Sequence, residues 1–180
     1  MLMRRDQSVL LVVDIQERLL PHIHDGEAVL ANAIWLVKLA QRLDVPLQAS
    51  EQYPAGIGPT HAGLRALIPS AAVAGKLHFS CVAAGCLDGL PGSERRQVVV
   101  VGTESHVCVL QTALDLRAQG REVFVVADAV GSRKPADKEL ALARMRSHGI
   151  EIVSREMVAF EWLEQAGTDV FREISRAFLK

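Results

Sequence analysis

Paired cysteines, an excess of one charge and long apolar runs are all missing from this chain of 180 residues. Lys and Arg number 20 against 21 Asp and Glu, interspersed along the chain, so nothing favours nucleic acid or an anionic membrane as partner. No stretch approaches the ~18–20 apolar residues that a membrane span needs. The opening MLMRRDQSVLLVVDIQ holds two arginines and an apolar run, but Asp14 interrupts it short of a signal h-region. Three cysteines, an odd number without framework spacing, argue against a disulfide-stapled secreted domain and for the reducing cytoplasm. There is no H-E-x-x-H and no C-x-x-C, which leaves a zinc site or a thioredoxin-type pair without support. Neither glycine-rich nucleotide cradle, G-x-G-x-x-G or G-x-x-x-x-G-K-[ST], is present. The expectation is one domain over 1–180, with no metal and no cofactor.

What the chain does have is alternation. SVLLVVD is an unbroken apolar, β-branched run, the signature of a strand buried on both faces. GEAVLANAIWLVKLAQRLD carries apolar residues at helical spacing and stops near Pro46, and VPLQAS reads as a second strand. A Gly-, Pro- and Ala-rich excursion follows to Lys76, then KLHFSCV as a short extended piece. QVVVVG, REVFVVADAV and IEIVS read as further strands, HVCVLQTALDLRAQG and SRKPADKELALARMRSHG as helices closed by Gly120 and Gly149. REMVAFEWLEQ and TDVFREISRAFLK read as terminal helices, the second capped by Thr168 or Asp169. Strand-helix alternation implies right-handed crossovers, hence an α/β fold: a three-layer α/β/α, Rossmann-like, mostly parallel sheet of about six strands.

Sites in such folds lie beyond the carboxyl ends of the strands, so polar residues following apolar runs deserve scrutiny. Asp14 is either a helix-capping or solvated carboxylate, or a partly desolvated proton acceptor between hydrophobic neighbours. Lys76 in VAGKLHFSC is either a surface charge or a pocket ammonium that pairs with Asp14. Cys81 and Cys86 fit small buried hydrophobes. Cys108 differs, because it falls in the first turn of the helix after VVVVGTES. Free N–H groups and the helix dipole there would lower a thiol pKa and hold the oxyanion of an attacked carbonyl. No histidine offers itself as partner: His106 is two positions away and points elsewhere on a helix, while His22 and His24 read as loop residues.

LLVVDIQERLLP, SEQYPAGIG, GKLHFSC and VVVVGTESHVCVLQTALDLRAQGREVFVVADAVGSR together resemble the isochorismatase-like cysteine hydrolases, nearest the YcaC-related branch. The likeness runs from about Gln7 to Phe160. It implies an Asp–Lys–Cys triad at Asp14, Lys76 and Cys108, and a cis peptide at Thr103–Glu104. Glu104 and Cys108 would then give the amide donors of an oxyanion hole. It further implies that Asp14 takes the thiol proton, Lys76 stabilises charge and Cys108 attacks an amide-type C–N bond, leaving a thioester acyl-enzyme for water to release. Where nicotinamidase members place an Asp-x-His metal motif, this chain reads SEQYP, against both a metal and that activity. Gln52, Tyr53 and Phe79 are expected in the substrate pocket, Phe79 being equally at home in the core. A homo-oligomer acting on a small molecule is expected, with REMVAFEWLEQ as contact surface or as packing on its own sheet. The alternatives are a catalytically silent scaffold of the same fold and, last, a peroxide-sensing thiol.

Overall fold

The computed structural model describes residues 1–179. Six strands form one parallel sheet: Ser8–Val13 (β1), Leu47–Gln52 (β2), Val73–Lys76 (β3), Gln97–Thr103 (β4), Glu122–Gly131 (β5) and Glu151–Val153 (β6). Their order across the sheet is β3-β2-β1-β4-β5-β6, which is the expected α/β architecture with helices on both faces. Among the described residues seven α-helices accompany them: Gly26–Arg42 (α1), Pro54–Ile57 (α2), Ala62–Arg65 (α3), Leu110–Ala118 (α4), Pro135–Ser147 (α5), Arg155–Leu163 (α6) and Asp169–Phe178 (α7).

The unbroken apolar run of β1 has a direct cause. Successive strand residues point to opposite faces. Leu10 and Val12 therefore join Leu36 of α1, Trp162 of α6 and Ile174 of α7, while Val9, Leu11 and Val13 join Leu116 of α4 and Met145 of α5. Leu10 and Leu11 are both fully buried, and each such side chain contributes about 1.5–3 kcal/mol relative to exposure. A strand with one wet face would alternate with polar residues instead.

The helix ends follow their local chemistry. Gly120 and Gly149 adopt φ of 83° and 76°, the left-handed conformation that closes α4 and α5. The Thr168 hydroxyl accepts the Phe171 N–H at 3.0 Å, capping α7. One expectation shifts: the extended piece lies before Lys76, not after it. Ala49–Gln52 pair with Val73–Lys76, and just beyond them Gln52 Nε2 donates to the Leu77 carbonyl at 2.8 Å. Lys76 thus closes a strand, as Asp14 and Glu104 follow theirs. Between β1 and β4 the order of connections reverses, and the ends of β1, β2, β3 and β4 face one crevice.

Candidate active site

Asp14 is the first residue beyond β1, fully buried, with φ of 52° in the left-handed region that Asp tolerates better than most residues. Its surroundings account for every polar atom. The Asp14 N–H donates to the Ser50 carbonyl at 3.1 Å, and Thr103 Oγ1 donates to the Asp14 carbonyl at 2.6 Å. Ser50 Oγ donates to Oδ1 at 2.6 Å, and Lys76 Nζ to Oδ2 at 2.8 Å. A carboxylate this deeply buried persists only when paired.

Lys76 comes from β3, two strands away, and its ammonium is also held by Gln52 Oε1 at 2.6 Å. Burial is the largest influence on Lys76 and opposes its charge. Asp14 outweighs it, by field and hydrogen bond with a smaller push from Cys108, so the pKa rises above the ordinary 10.5. Gln52 Oε1 also lies 3.9 Å from Cys108 Sγ, so one amide oxygen spans ammonium and thiol. Gln52 is itself fixed, its N–H donating to Gln16 Oε1 at 2.8 Å.

Cys108 sits in a π turn, Ser105–Val109, that leads into α4 rather than in the helix's own first turn. It is 3% exposed. The expected lowering of its thiol pKa is reversed: burial pushes it up, the Asp14 carboxylate pushes further, and Lys76 only partly opposes them. At rest the sulfur keeps its proton beside a carboxylate.

The cis bond implied at Thr103–Glu104 is absent; every peptide among the described residues is trans. The chain reverses through Glu104 instead, at φ 57° and ψ 58°. The Glu104 carbonyl accepts the Val107 and Val109 N–H groups at 2.8 and 3.4 Å, which winds the π turn carrying the sulfur. Its carboxylate, 8% exposed, receives Nε and Nη2 of Arg133 at 2.8 and 3.0 Å. This two-pronged contact ties the loop after β5 to the turn after β4.

A cavity of about 450 Å³ opens onto Cys108. Leu19, Ile57 and Phe79 form its apolar wall, and Gln52, His22 and the Glu104–Arg133 pair supply its polar groups. Gln52 and Phe79 thus stand where the pocket was expected, and Tyr53 does not. At φ 39° its ring turns onto Gly56, where a Cβ would meet it at 2.2 Å, and it faces solvent. Sequence reasoning passed over Ser50 and Arg133, and read His22, which lines the cavity, as a loop residue. Ser50 carried a signal, a polar residue inside a buried strand, and Arg133 likewise follows the apolar run of β5. His106 pairs with Ser132 Oγ at 3.0 Å. Among the described residues no three metal-binding side chains gather.

An isochorismatase domain model matches residues 8–157. Isochorismatase domain-containing protein 2A of Mus musculus is 37% identical over 175 residues, covering 95% of this chain and 82% of the relative. Its Homo sapiens counterpart, isochorismatase domain-containing protein 2, is 37% identical over 173 residues, with 94% and 82% covered. The MAR1 ribonuclease of Caenorhabditis elegans superposes with a TM-score of 0.89 at 30% identity, over 100% of this chain and 93% of that one. YcaC of Escherichia coli, an octameric hydrolase of unknown specificity, shares the fold with a TM-score of 0.85 at 24% identity, over 91% and 83%. A domain match across most of the sequence, and relatives aligned over nearly all of it, make this chain a member of the isochorismatase-like hydrolase family.

Proposed function

We propose that this protein is a cysteine-dependent hydrolase of a small-molecule amide-type C–N bond. The observation that carries the reading is the buried Lys76–Asp14 pair at 2.8 Å beside Cys108, which opens onto a cavity. Asp14 takes the thiol proton as Cys108 Sγ attacks the carbonyl carbon. In this reading the Glu104 and Cys108 N–H groups receive the developing oxyanion, and Lys76 offsets the negative charge gathered in the site. The proton on Asp14 passes to the leaving amine, and the C–N bond breaks to leave a thioester. Water then gives its proton to Asp14, its oxygen attacks the thioester, and the departing sulfur recovers the proton. Net, one water is consumed and one acid and one amine are released.

The apolar wall suits an uncharged acyl or alkyl portion, with Gln52 and Arg133 available to its polar end. We place the protein in the cytoplasm, in keeping with three free cysteines, and as a homo-oligomer.

The deciding experiment offers wild type and Cys108→Ala a panel of small amides and esters, with a single-stranded RNA arm because a relative is named a ribonuclease. Amine release confined to wild type, with an acyl adduct on the tryptic peptide 97–117, is the expected result. Turnover that survives Cys108→Ala overturns the mechanism. No turnover and no adduct with any electrophile favours the silent scaffold.

A further inference from the structure

Two thiols outside the proposed triad remain unexplained. Cys81 and Cys86 lie five residues apart in the loop after β3, and the Cys86 N–H donates to the Cys81 carbonyl at 3.2 Å. That bond closes one turn of the loop and brings the two residues back toward each other. Cys81 is fully buried, its own N–H donating to Thr112 Oγ1 of α4 at 3.0 Å, while Cys86 is half-buried. The pair is thus anchored at one end and open at the other.

Behind Cys81 is a cavity of about 70 Å³, walled also by Gln48, Ser93, Gln119 and Arg121. It has room and polar partners for a molecule the size of hydrogen peroxide. Arg121 Nε, buried and without a hydrogen-bond partner, is a free donor in that wall. The neighbouring Cys86 lowers the Cys81 pKa, against burial, to about 7. The Cys86 pKa rises in return. A low-pKa sulfur, a partner thiol and a peroxide-sized cavity coincide only here among the described residues.

We infer that Cys81 and Cys86 form a redox-active dithiol that closes to a disulfide when a hydroperoxide oxidises Cys81. The Cys81 thiolate attacks the peroxide O–O bond, giving a sulfenic acid and releasing water or an alcohol. The Cys86 thiol then attacks that sulfur, the S–O bond breaks, a second water leaves and the disulfide forms. Two electrons pass from the sulfurs to the peroxide. The step needs neither Cys108 nor any substrate, so it stands apart from the hydrolase reading.

Both cysteines fall in one tryptic peptide, residues 77–95, and Cys108 in another, so the assignment is open to direct measurement. The whole chain is treated with hydrogen peroxide, capped with iodoacetamide under denaturing conditions, digested and weighed. The expected result is peptide 77–95 lighter by about 2 Da than its reduced form and uncapped, restored to two caps by prior reductant. In Cys86→Ser, Cys81 is expected to stop at the sulfenic acid and react with dimedone. Two caps on 77–95 after oxidation, or a disulfide joining Cys81 to Cys108, overturns the inference.

Discussion

At the scale of single residues, the raised Cys108 pKa separates two properties that an activated nucleophile usually shows together. Burial and, after it, the Asp14 charge hold the thiol proton on, so removing that charge should favour the thiolate while removing the base. Asp14→Asn is therefore expected to speed alkylation of Cys108 by iodoacetamide at neutral pH, yet to cut amide turnover by about 10²–10⁴-fold. Slower alkylation in Asp14→Asn, timed by mass spectrometry, would contradict the assigned electrostatics. Lys76 has a different task. Lys76→Met leaves the Asp14 carboxylate buried without its cation, which costs roughly 3–5 kcal/mol of stability in urea unfolding. Adding Asp14→Asn to that variant should recover most of the loss, since a neutral pair needs no counterion. Because folding holds Lys76 above its ordinary 10.5, its stabilisation is complete below that pH and is lost as pH climbs through the raised value. Urea midpoints measured across the alkaline range should show this extra fall in wild type and lack it in Lys76→Met.

At the scale of elements, the part most open to perturbation is the π turn. Glu104 holds a left-handed conformation that costs a non-glycine residue about 1–3 kcal/mol, and the Arg133 fork is what fixes its side chain. Arg133→Gln is expected to lower kcat about tenfold through the loosened turn and to raise KM through the lost contact to the substrate's polar end, and added ethylguanidine to restore part of the rate, because Arg133 is 59% exposed. Unchanged kcat would make the fork a surface ion pair and no more. Most elements were legible beforehand for a plain reason: strands buried on two faces must be continuously apolar, and helices between them must carry an apolar stripe. Lys76 was legible only in part. Its strand, VAGK, is short and half-exposed, so neither composition nor alternation marks where it starts. The reversal at Glu104 was misread because sequence does not distinguish a cis bond from a left-handed residue held by a distant arginine. The fork and the Ser50 contact join residues 29 and 36 positions apart, beyond any local pattern.

At the scale of the whole molecule, α6 resolves an either-or left by the sequence. Val158, Ala159, Trp162 and Leu163 pack onto the sheet, while Met157 and Phe160 project from the opposite face at 46% and 50% exposure. With Leu2 they border a cavity of about 650 Å³, where Arg4 faces Glu156, Glu161 and Glu164. If this face joins two copies, a two-fold axis across it would bring the arginine of one toward the glutamates of the other and phenylalanine toward methionine. Phe160→Glu would set like charges near one another across such an axis while leaving the sheet-facing side of α6 intact. Light scattering on wild type is accordingly expected to give a multiple of the 19.6 kDa chain mass, and on Phe160→Glu a smaller multiple or the chain mass itself. Both should melt at similar temperature when extrapolated to low concentration, because the substitution touches no core residue. An unaltered mass in Phe160→Glu would move the contact to another face and leave Met157 and Phe160 without a partner to explain their exposure.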